Sequence, residues 1–180
     1  MIKRIRELDP KALIASKEFR DYVEKQETEI NRGISSLCIL AILIQAGEKG
    51  SHGYKILKDL TEKTNKMLVI EEGTIYPILR KLEEDHIIKS EREESGRRRK
   101  FYSVTTHGNK IYNHLAGFYS KLTEAIAPLF DVHVNLKPEK YLYCPMCANK
   151  IDLTDLKLRF CDVCGQNIEN ELKERGLKNE

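Results

Sequence analysis

Apolar residues recur at helical spacing near the middle of the chain and predict an amphipathic helix. They fall at i, i+3, i+4 and i+7, which is one face of a helix: Ile75, Ile78, Leu79 and Leu82. Upstream, the nearly continuous apolar run 34–47 predicts a buried helix. This run is too short to cross a bilayer, which needs about 20 apolar residues. A further helix is predicted to open at Ser51 to Tyr54, so three helices are expected in this region.

The pattern changes from helical to extended after the third of these helices. A first strand is predicted from Ile87 to about Glu93, and its antiparallel partner covers 101–104, with a turn at 94–96. Beside the hairpin tip lie four consecutive cations: Arg97, Arg98, Arg99 and Lys100. Because adjacent like charges repel, an anionic partner explains this cluster better than a merely soluble loop does. A helix followed by a basic hairpin is typical of a winged helix, which binds the major groove and the flanking backbone of duplex DNA.

The outward face of the third helix carries further candidate DNA contacts. They are Gly73, Thr74, Tyr76, Pro77, Arg80 and Lys81. Thr74 is expected to cap a helix that begins near Gly73 or Thr74 itself, with Pro77 in the first turn, where its missing N–H is tolerated. The free N–H groups of that end suit a phosphate, and Arg80 and Lys81 are placed to reach base edges or phosphates. A solvated charged face is the alternative interpretation for this helix taken alone.

A long helix is predicted from Thr105 or Thr106 to about Leu129. Its apolar residues alternate at spacings of four and three: Ile111, Leu115, Phe118, Leu122, Ala125 and Leu129. Since the winged domain closes its core without this helix, the heptad seam favours packing against a second copy of the chain. The amphipathic segment 10–30 is a candidate to pack on the partner's long helix. Two-fold symmetry then predicts an inverted-repeat target with half-sites about one helical turn apart.

Near the C-terminus, two CxxC pairs are separated by thirteen residues: Cys144, Cys147, Cys161 and Cys164. Each pair forms a tight knuckle, and two knuckles complete a tetrahedral thiolate shell for one structural Zn²⁺ per chain. Short strands are predicted over 141–143 and 156–160, and Gly165 is expected at positive φ. No βαβ pattern surrounds the pairs, which disfavours a redox role. The ribbon's task stays open between a structural site, a contact with the transcription machinery or another partner, and sensing of zinc or oxidants.

Composition limits the remaining possibilities. The chain has 180 residues with a net charge of +3, so a nucleic-acid site must be a local patch rather than the whole surface. No signal peptide or transmembrane pattern is found, which predicts a cytoplasmic protein with reduced thiols and no membrane partner. No nucleophile–base pair or phosphate-binding loop stands out, so we do not expect an enzyme.

The expected fold class is α+β, mostly α: a winged helix-turn-helix domain with a long dimerisation helix and a small C-terminal zinc ribbon. The predicted layout is an N-terminal helical extension (1–30), a winged helix (31–106), a dimerisation helix (107–130), a linker (131–140), a zinc ribbon (141–168) and a polar tail (169–180).

Several motifs resemble the PadR family of bacterial and archaeal transcriptional regulators. They are Arg32-Gly33, His52-Gly53-Tyr54, Glu72 to Pro77 (EGTIYP), Leu79 to Glu83, Glu94 to Arg97 with Arg99-Lys100, and Tyr102 to Gly108. The similarity spans roughly residues 31–130, and its HGY and GTIYP segments are far more specific than a generic helix-turn-helix match. It implies a dimeric DNA-binding repressor that contacts DNA from the starts of the second helix (Gly53 and Tyr54) and the third helix, and from the wing. The cysteine-bearing tail departs from the family's basic pattern.

The expected function is therefore a sequence-specific transcriptional regulator, a homodimeric repressor that binds double-stranded DNA. Two alternatives remain. A winged helix joined to a zinc ribbon also resembles the archaeal and eukaryotic initiation factor TFE, which would act through RNA polymerase and predicts no homodimer. A protein-interaction module, in which the basic wing meets an acidic protein surface, predicts no saturable binding to duplex DNA.

Overall fold

The chain forms two compact units, Met1–Asn109 and Lys110–Glu180. The computed structural model describes residues 16–92, 99–132, 141–153 and 158–174. Within each unit the described residues enclose a separate apolar core.

The first unit opens with a single long helix, α1 (Lys17–Ala46). The Ser16 hydroxyl oxygen caps it by accepting a hydrogen bond from the Phe19 N–H at 3.2 Å. The sequence had suggested two pieces, an amphipathic segment over 10–30 and a buried helix over 34–47. They are continuous from residue 17, so the predicted boundary after residue 30 lies inside α1. Gly33 does not interrupt the helix because an interior glycine costs only about 1 kcal/mol relative to alanine.

The stretch Lys17–Lys49 is also the one described segment that is long and apolar enough to cross a membrane, judged by length and composition only. That is weak evidence, because the core helix of a soluble protein passes the same test. Ile39, Leu40 and Leu43 are fully enclosed in the core of the first unit. We therefore interpret the C-terminal part of α1, which holds all of its buried residues, as a core helix.

Two further helices and a small sheet complete the first unit. They are α2 (Gly53–Lys63), α3 (Glu72–Glu84), β1 (Ser51–His52), β2 (Ile88–Arg92) and β3 (Lys100–Val104). The strands are antiparallel in the order β1-β3-β2, and Ser90 of β2 lies opposite Tyr102 of β3. This is the predicted winged-helix arrangement of three helices and a hairpin, with one addition. The pairing of β1 with β3 was not predicted, because two residues are too few to show a strand periodicity.

The start of α3 differs from the prediction by one or two residues. The residue before the helix is Glu71, which makes no capping hydrogen bond with its side chain, so Thr74 lies within the first turn and is not the cap. Pro77 consequently lies in the second turn, where it cannot donate to the Gly73 carbonyl. The expectation that its missing N–H would fall among the free groups of the first turn is therefore wrong.

The long helix is α4 (Thr106–Ile126), which continues as a 3-10 turn to Phe130. The Thr105 hydroxyl oxygen accepts a hydrogen bond from the Gly108 N–H at 2.9 Å, so Thr105 is the cap. The start and the length of α4 both agree with the prediction from the sequence.

The ribbon consists of β4 (Tyr141–Tyr143), β5 (Lys150–Asp152) and α5 (Glu169–Glu174). β4 pairs with β5 and not with the predicted strand over 156–160. Part of that predicted strand lies outside the described residues, and Phe160 makes only an isolated bridge with Asn167. The ribbon core extends beyond the predicted end at residue 168. Ile168 and Leu172 are both buried, because an i, i+4 spacing places them on one side of the last turn.

Candidate DNA-binding surface and metal centre

The outward face of α3 carries every DNA-contact candidate that the sequence placed on this helix. All are exposed: Gly73, Thr74, Tyr76, Pro77, Arg80 and Lys81. The opposite face is fixed in the core by Ile75, Leu79 and Leu82. Because that row is buried, the helix cannot rotate, and its cations stay directed to solvent.

The start of α2 adjoins the start of α3. His52 caps α2 through its Nδ1 atom, which accepts from the Lys55 N–H at 3.2 Å. A side-chain carbon added at Gly53 would lie 3.0 Å from the Tyr76 ring, so the glycine admits this close contact. Tyr54, beside it, is 63% exposed. The two residues that the family resemblance implicated in α2 therefore lie next to the exposed start of α3.

The wing strand reaches the same neighbourhood through an aromatic contact. The His52 ring stands edge-on to Phe101 of β3, with ring centroids 5.7 Å apart. It also stacks on Tyr54 at 6.5 Å. The starts of α2 and α3 and the strand β3 thus contribute to one surface, which we call the HTH–wing surface. It comprises the exposed candidates of α2 and α3 together with β3.

The wing cations do not share one environment. Arg99 is exposed, whereas Arg97 and Arg98 lie outside the described residues. Lys100 is engaged within the protein: its Nζ lies 2.7 Å from Oε2 of Glu83 on α3. The Ser90 hydroxyl donates to the other oxygen of the same carboxylate. Lys100 therefore ties the hairpin to α3. Its role as a direct DNA contact stays a prediction.

The stabilisation from the Lys100–Glu83 contact depends on pH in a defined direction. Hydrogen bonds from Lys100 and then Ser90 lower the pKa of Glu83. Because the folded-state pKa is lowered, the stabilisation is present above the unfolded-state pKa and is lost as the pH falls through the folded-state value. The groups are partly exposed, so we expect at most about 1 kcal/mol from the pair. Sequence reasoning missed Glu83 because its partner lies seventeen residues away and no local spacing connects them.

The four predicted metal ligands come together in the ribbon. All four sulfurs lie within 4.8 Å of one another. The Sγ atoms of Cys144 and Cys164 are 3.5 Å apart, and those of Cys147 and Cys161 are 3.6 Å apart. A tetrahedron with metal–sulfur bonds of about 2.3 Å has sulfur–sulfur edges of about 3.8 Å, so the spacing fits a metal. A disulfide would need about 2.05 Å.

The two knuckles share one backbone pattern. The N–H of the residue after each pair donates to the carbonyl of the first cysteine: Ala148 to Cys144, and Gly165 to Cys161, both at 2.9 Å. Both residues have positive φ, at +58° and +72°, which confirms the expectation for Gly165. Asn149 further joins the knuckles through a 2.8 Å hydrogen bond from its Nδ2 to Asp162. The backbone therefore directs the four sulfurs at one centre.

The thiols differ in acidity according to their surroundings. Burial raises the pKa of Cys144 and Cys147, whereas the Gln166 N–H lowers the pKa of the exposed Cys164. A cation must therefore displace protons from Cys144 and Cys147 to bind, as thiolate sites do. With four protein sulfurs the shell would be closed, which leaves no position for a catalytic water.

The predicted seam on α4 faces solvent. Within it, Leu115 is 40%, Phe118 54%, Leu122 42% and Leu129 79% exposed. Ala125 is exposed as well, and only Ile111 is half-buried. The heptad spacing did not predict three further exposed apolar residues beside the seam: Tyr119, Ile126 and Phe130. We use the name α4 apolar row for the five exposed residues of the seam: Leu115, Phe118, Leu122, Ala125 and Leu129.

Comparison with known proteins identifies relatives of the first unit. A sequence model described as the transcriptional regulator PadR-like family matches residues 39–114. The structure of a transcriptional regulator from Clostridium thermocellum is 34% identical over 54% of this chain and 94% of that chain, with a TM-score of 0.50. A PadR family regulator from Eggerthella lenta has the same fold, with 24% identity over 64% of this chain and 94% of that chain, and a TM-score of 0.54. An uncharacterised protein of Lysinibacillus sphaericus is 28% identical over 101 residues, which are 55% of this chain and 90% of that protein.

The residues matched by the family model contain α2, α3, the hairpin and the beginning of α4. The cysteine cluster lies C-terminal to them. The comparisons therefore bear on the HTH–wing surface, whereas the metal centre rests on the geometry and chemistry of its four sulfurs.

Proposed function

The chain belongs to the PadR-like family of transcriptional regulators, and from this premise we propose that it is a homodimeric, sequence-specific repressor. Family membership makes it a DNA-binding regulator and not an enzyme. The observation that carries the proposal further is the HTH–wing surface, which combines the exposed cations Arg80 and Lys81 of α3 with the adjoining starts of α2 and α3. We place the protein in the cytoplasm, where it would meet DNA and keep its thiols reduced.

Each part of the HTH–wing surface has a proposed task. Arg80 and Lys81 read base edges in the major groove, where arginine and lysine commonly pair with guanine. Thr74 and Tyr76, with the free N–H groups at the start of α3, hold a phosphate. Arg97, Arg98 and Arg99 are assigned to the flanking backbone. The contacts of Lys100 support a positioning role, in which it holds the hairpin against α3.

The α4 apolar row supports a homodimer. An exposed row of this length on a helix is a docking surface, and two copies related by a two-fold axis bury it against itself. Such a dimer carries two copies of α3 and predicts an inverted-repeat operator.

The cysteine cluster supports one structural Zn²⁺ per chain. Zn²⁺ favours four thiolates in a tetrahedron, and two sulfur–sulfur distances of 3.5 and 3.6 Å, with all four sulfurs within 4.8 Å of one another, are close to the edges of such a shell. A closed Cys₄ shell stabilises a small fold and leaves no free coordination position, so we assign it a structural role.

The wing assignment is tested by the double variant Arg98→Ala with Arg99→Ala. Binding to any duplex should weaken, because these side chains would neutralise phosphates and release counterions. The slope of log K against log salt should fall by about 0.9 for each lost phosphate contact. Binding isotherms at several salt concentrations measure the slope.

The matched control is Lys17→Ala with Lys25→Ala, which removes two exposed cations from α1. This control should keep the slope of the unmodified protein. A slope that is the same in the wing variant and in the unmodified protein would remove the wing from the DNA interface.

A further inference from the structure

The first knuckle of the ribbon packs directly against α4. A side-chain carbon added at Gly117 would lie 1.5 Å from the carbonyl oxygen of Ala148 and 2.8 Å from the Tyr143 ring. Both distances are shorter than any van der Waals contact. Gly117, which is buried, is therefore the residue that lets the knuckle approach the helix this closely.

Two more contacts lie along the same region of α4. Ser120 is only 7% exposed and lies close to the Tyr143 side chain, and burial raises the pKa of Tyr143 to about 12. The Lys150 ammonium lies 5.9 Å from the centre of the Tyr112 ring. The ribbon thus holds α4 at three points over more than two helical turns.

The contact at Gly117 depends on the shape of the metal-holding loop. Ala148 directly follows the ligand Cys147 and has a positive φ of +58°. Its N–H is bonded to the Cys144 carbonyl, and the Asn149 carbonyl accepts from the Cys144 N–H, both at 2.9 Å. The carbonyl that touches Gly117 is therefore held by the same hydrogen bonds that orient two of the four sulfurs.

The ribbon contacts at Gly117 and Ser120 and the centre of the α4 apolar row lie on different sides of the helix. At about 100° per residue, Gly117 and Ser120 lie roughly opposite Leu115 and Leu122. An interior glycine costs about 1 kcal/mol of helix stability relative to alanine. Gly117 lies near the middle of α4 and weakens the helix, and the α4 apolar row is exposed in the single chain. The contacts with the ribbon therefore determine how well α4 is ordered.

We propose that the metal-loaded ribbon braces α4, so that metal occupancy controls how firmly the α4 apolar row binds a second copy of the chain. Metal binding orders the knuckle and seats the Ala148 carbonyl on Gly117. Metal loss releases the knuckle and leaves α4 unsupported around its glycine. The inference deepens the proposed function and rests on its homodimer, to which it adds regulation by metal availability.

Hydrogen–deuterium exchange of the full chain tests the brace independently of DNA. Zinc-loaded protein is compared with protein from which zinc has been removed by a chelator. Exchange in peptides covering 110–126 should be at least tenfold slower with zinc. Equal exchange rates with and without zinc would overturn the proposal.

The variant Gly117→Ala separates docking from metal binding. The four cysteines remain, so the variant should still bind one zinc per chain, but its α4 should exchange as in the zinc-free protein. Ser120→Ala, which removes the hydroxyl close to Tyr143 without adding a clash, should retain zinc and show a smaller loss of protection. Gly33→Ala is the matched control, because it makes the same change inside α1 with nothing within 4 Å of the new carbon. Full zinc-dependent protection of α4 in Gly117→Ala would contradict the docking geometry.

Sedimentation equilibrium then links the brace to assembly. Zinc removal should weaken the dimer of the unmodified protein at least tenfold, and zinc-loaded Gly117→Ala should match the zinc-free protein. A dimer with the same affinity in the presence and absence of zinc would refute the brace and would leave the proposed repressor function intact. A chain that stays monomeric with zinc bound would refute the homodimer itself, and with it the metal control of assembly.

Discussion

Replacing Leu122 by glutamate is expected to make the protein monomeric at micromolar concentration. Leu122 lies near the middle of the α4 apolar row and is 42% exposed in the single chain. In a two-fold interface the substitution would introduce two carboxylates, one from each copy, into an apolar contact. Burying a charge without a partner costs several kcal/mol. This cost exceeds the free energy that the neighbouring apolar contacts of the row contribute to dimerisation. Sedimentation velocity measures the change directly.

The same variant should bind an operator at least a hundredfold more weakly, because each monomer then binds one half-site without the other. Lys121→Glu is the control: it places a carboxylate on the adjacent residue, which is exposed and lies outside the row, and it also removes the 2.8 Å ion pair of Lys121 with Glu124. The control should stay dimeric. A dimeric Leu122→Glu protein would show that the α4 apolar row is not the interface.

Replacing Cys144 by serine is expected to abolish metal binding and to unfold the ribbon. Cys144 is 1% exposed and belongs both to the sulfur cluster and to the ribbon core. Structural zinc contributes about 10–16 kcal/mol in zinc-finger peptides, far more than so small a core supplies. Metal analysis should fall from one zinc per chain to none, and peptides from the ribbon should exchange rapidly.

Cys38→Ser provides the control for this loss. Cys38 lies in α1 and is not part of the sulfur cluster, so its variant should keep one zinc. The first unit has its own core, and its hydrogen exchange should stay slow in both variants. Retention of one zinc per chain by Cys144→Ser would contradict the assigned ligand set.

Local patterns were enough to predict the long elements and the cluster of four cysteines. The buried rows of α3 and the apolar end of α1 follow directly from helical spacing. The CxxC pairs predicted the cluster because two cysteines in a tight turn must direct their sulfurs to one side. The α4 apolar row was likewise visible as a heptad seam, although the exposed residues beside it were not.

The features that sequence reasoning missed depend on contacts between distant residues or on very short elements. β1 is two residues long and exists only because β3 lies beside it. The tie between Glu83 and Lys100 needs the hairpin to fold back on α3, so Lys100 looked like one more free cation. Nothing local marked Gly117 as a contact for Ala148. The start of α3 was predicted one or two residues too late. The reason is that threonine is a more common capping residue than glutamate, which favoured Thr74 over Glu71.

The central claim is that the protein recognises a specific operator as a dimer. It is tested most directly by titrating the zinc-loaded protein onto the promoter duplex of its own gene, with a scrambled duplex of equal length as competitor. We expect a preference of about a thousandfold or more for the promoter, with two protomers bound per site. Equal and weak binding to both duplexes would contradict this function and favour an initiation factor or a protein-interaction module.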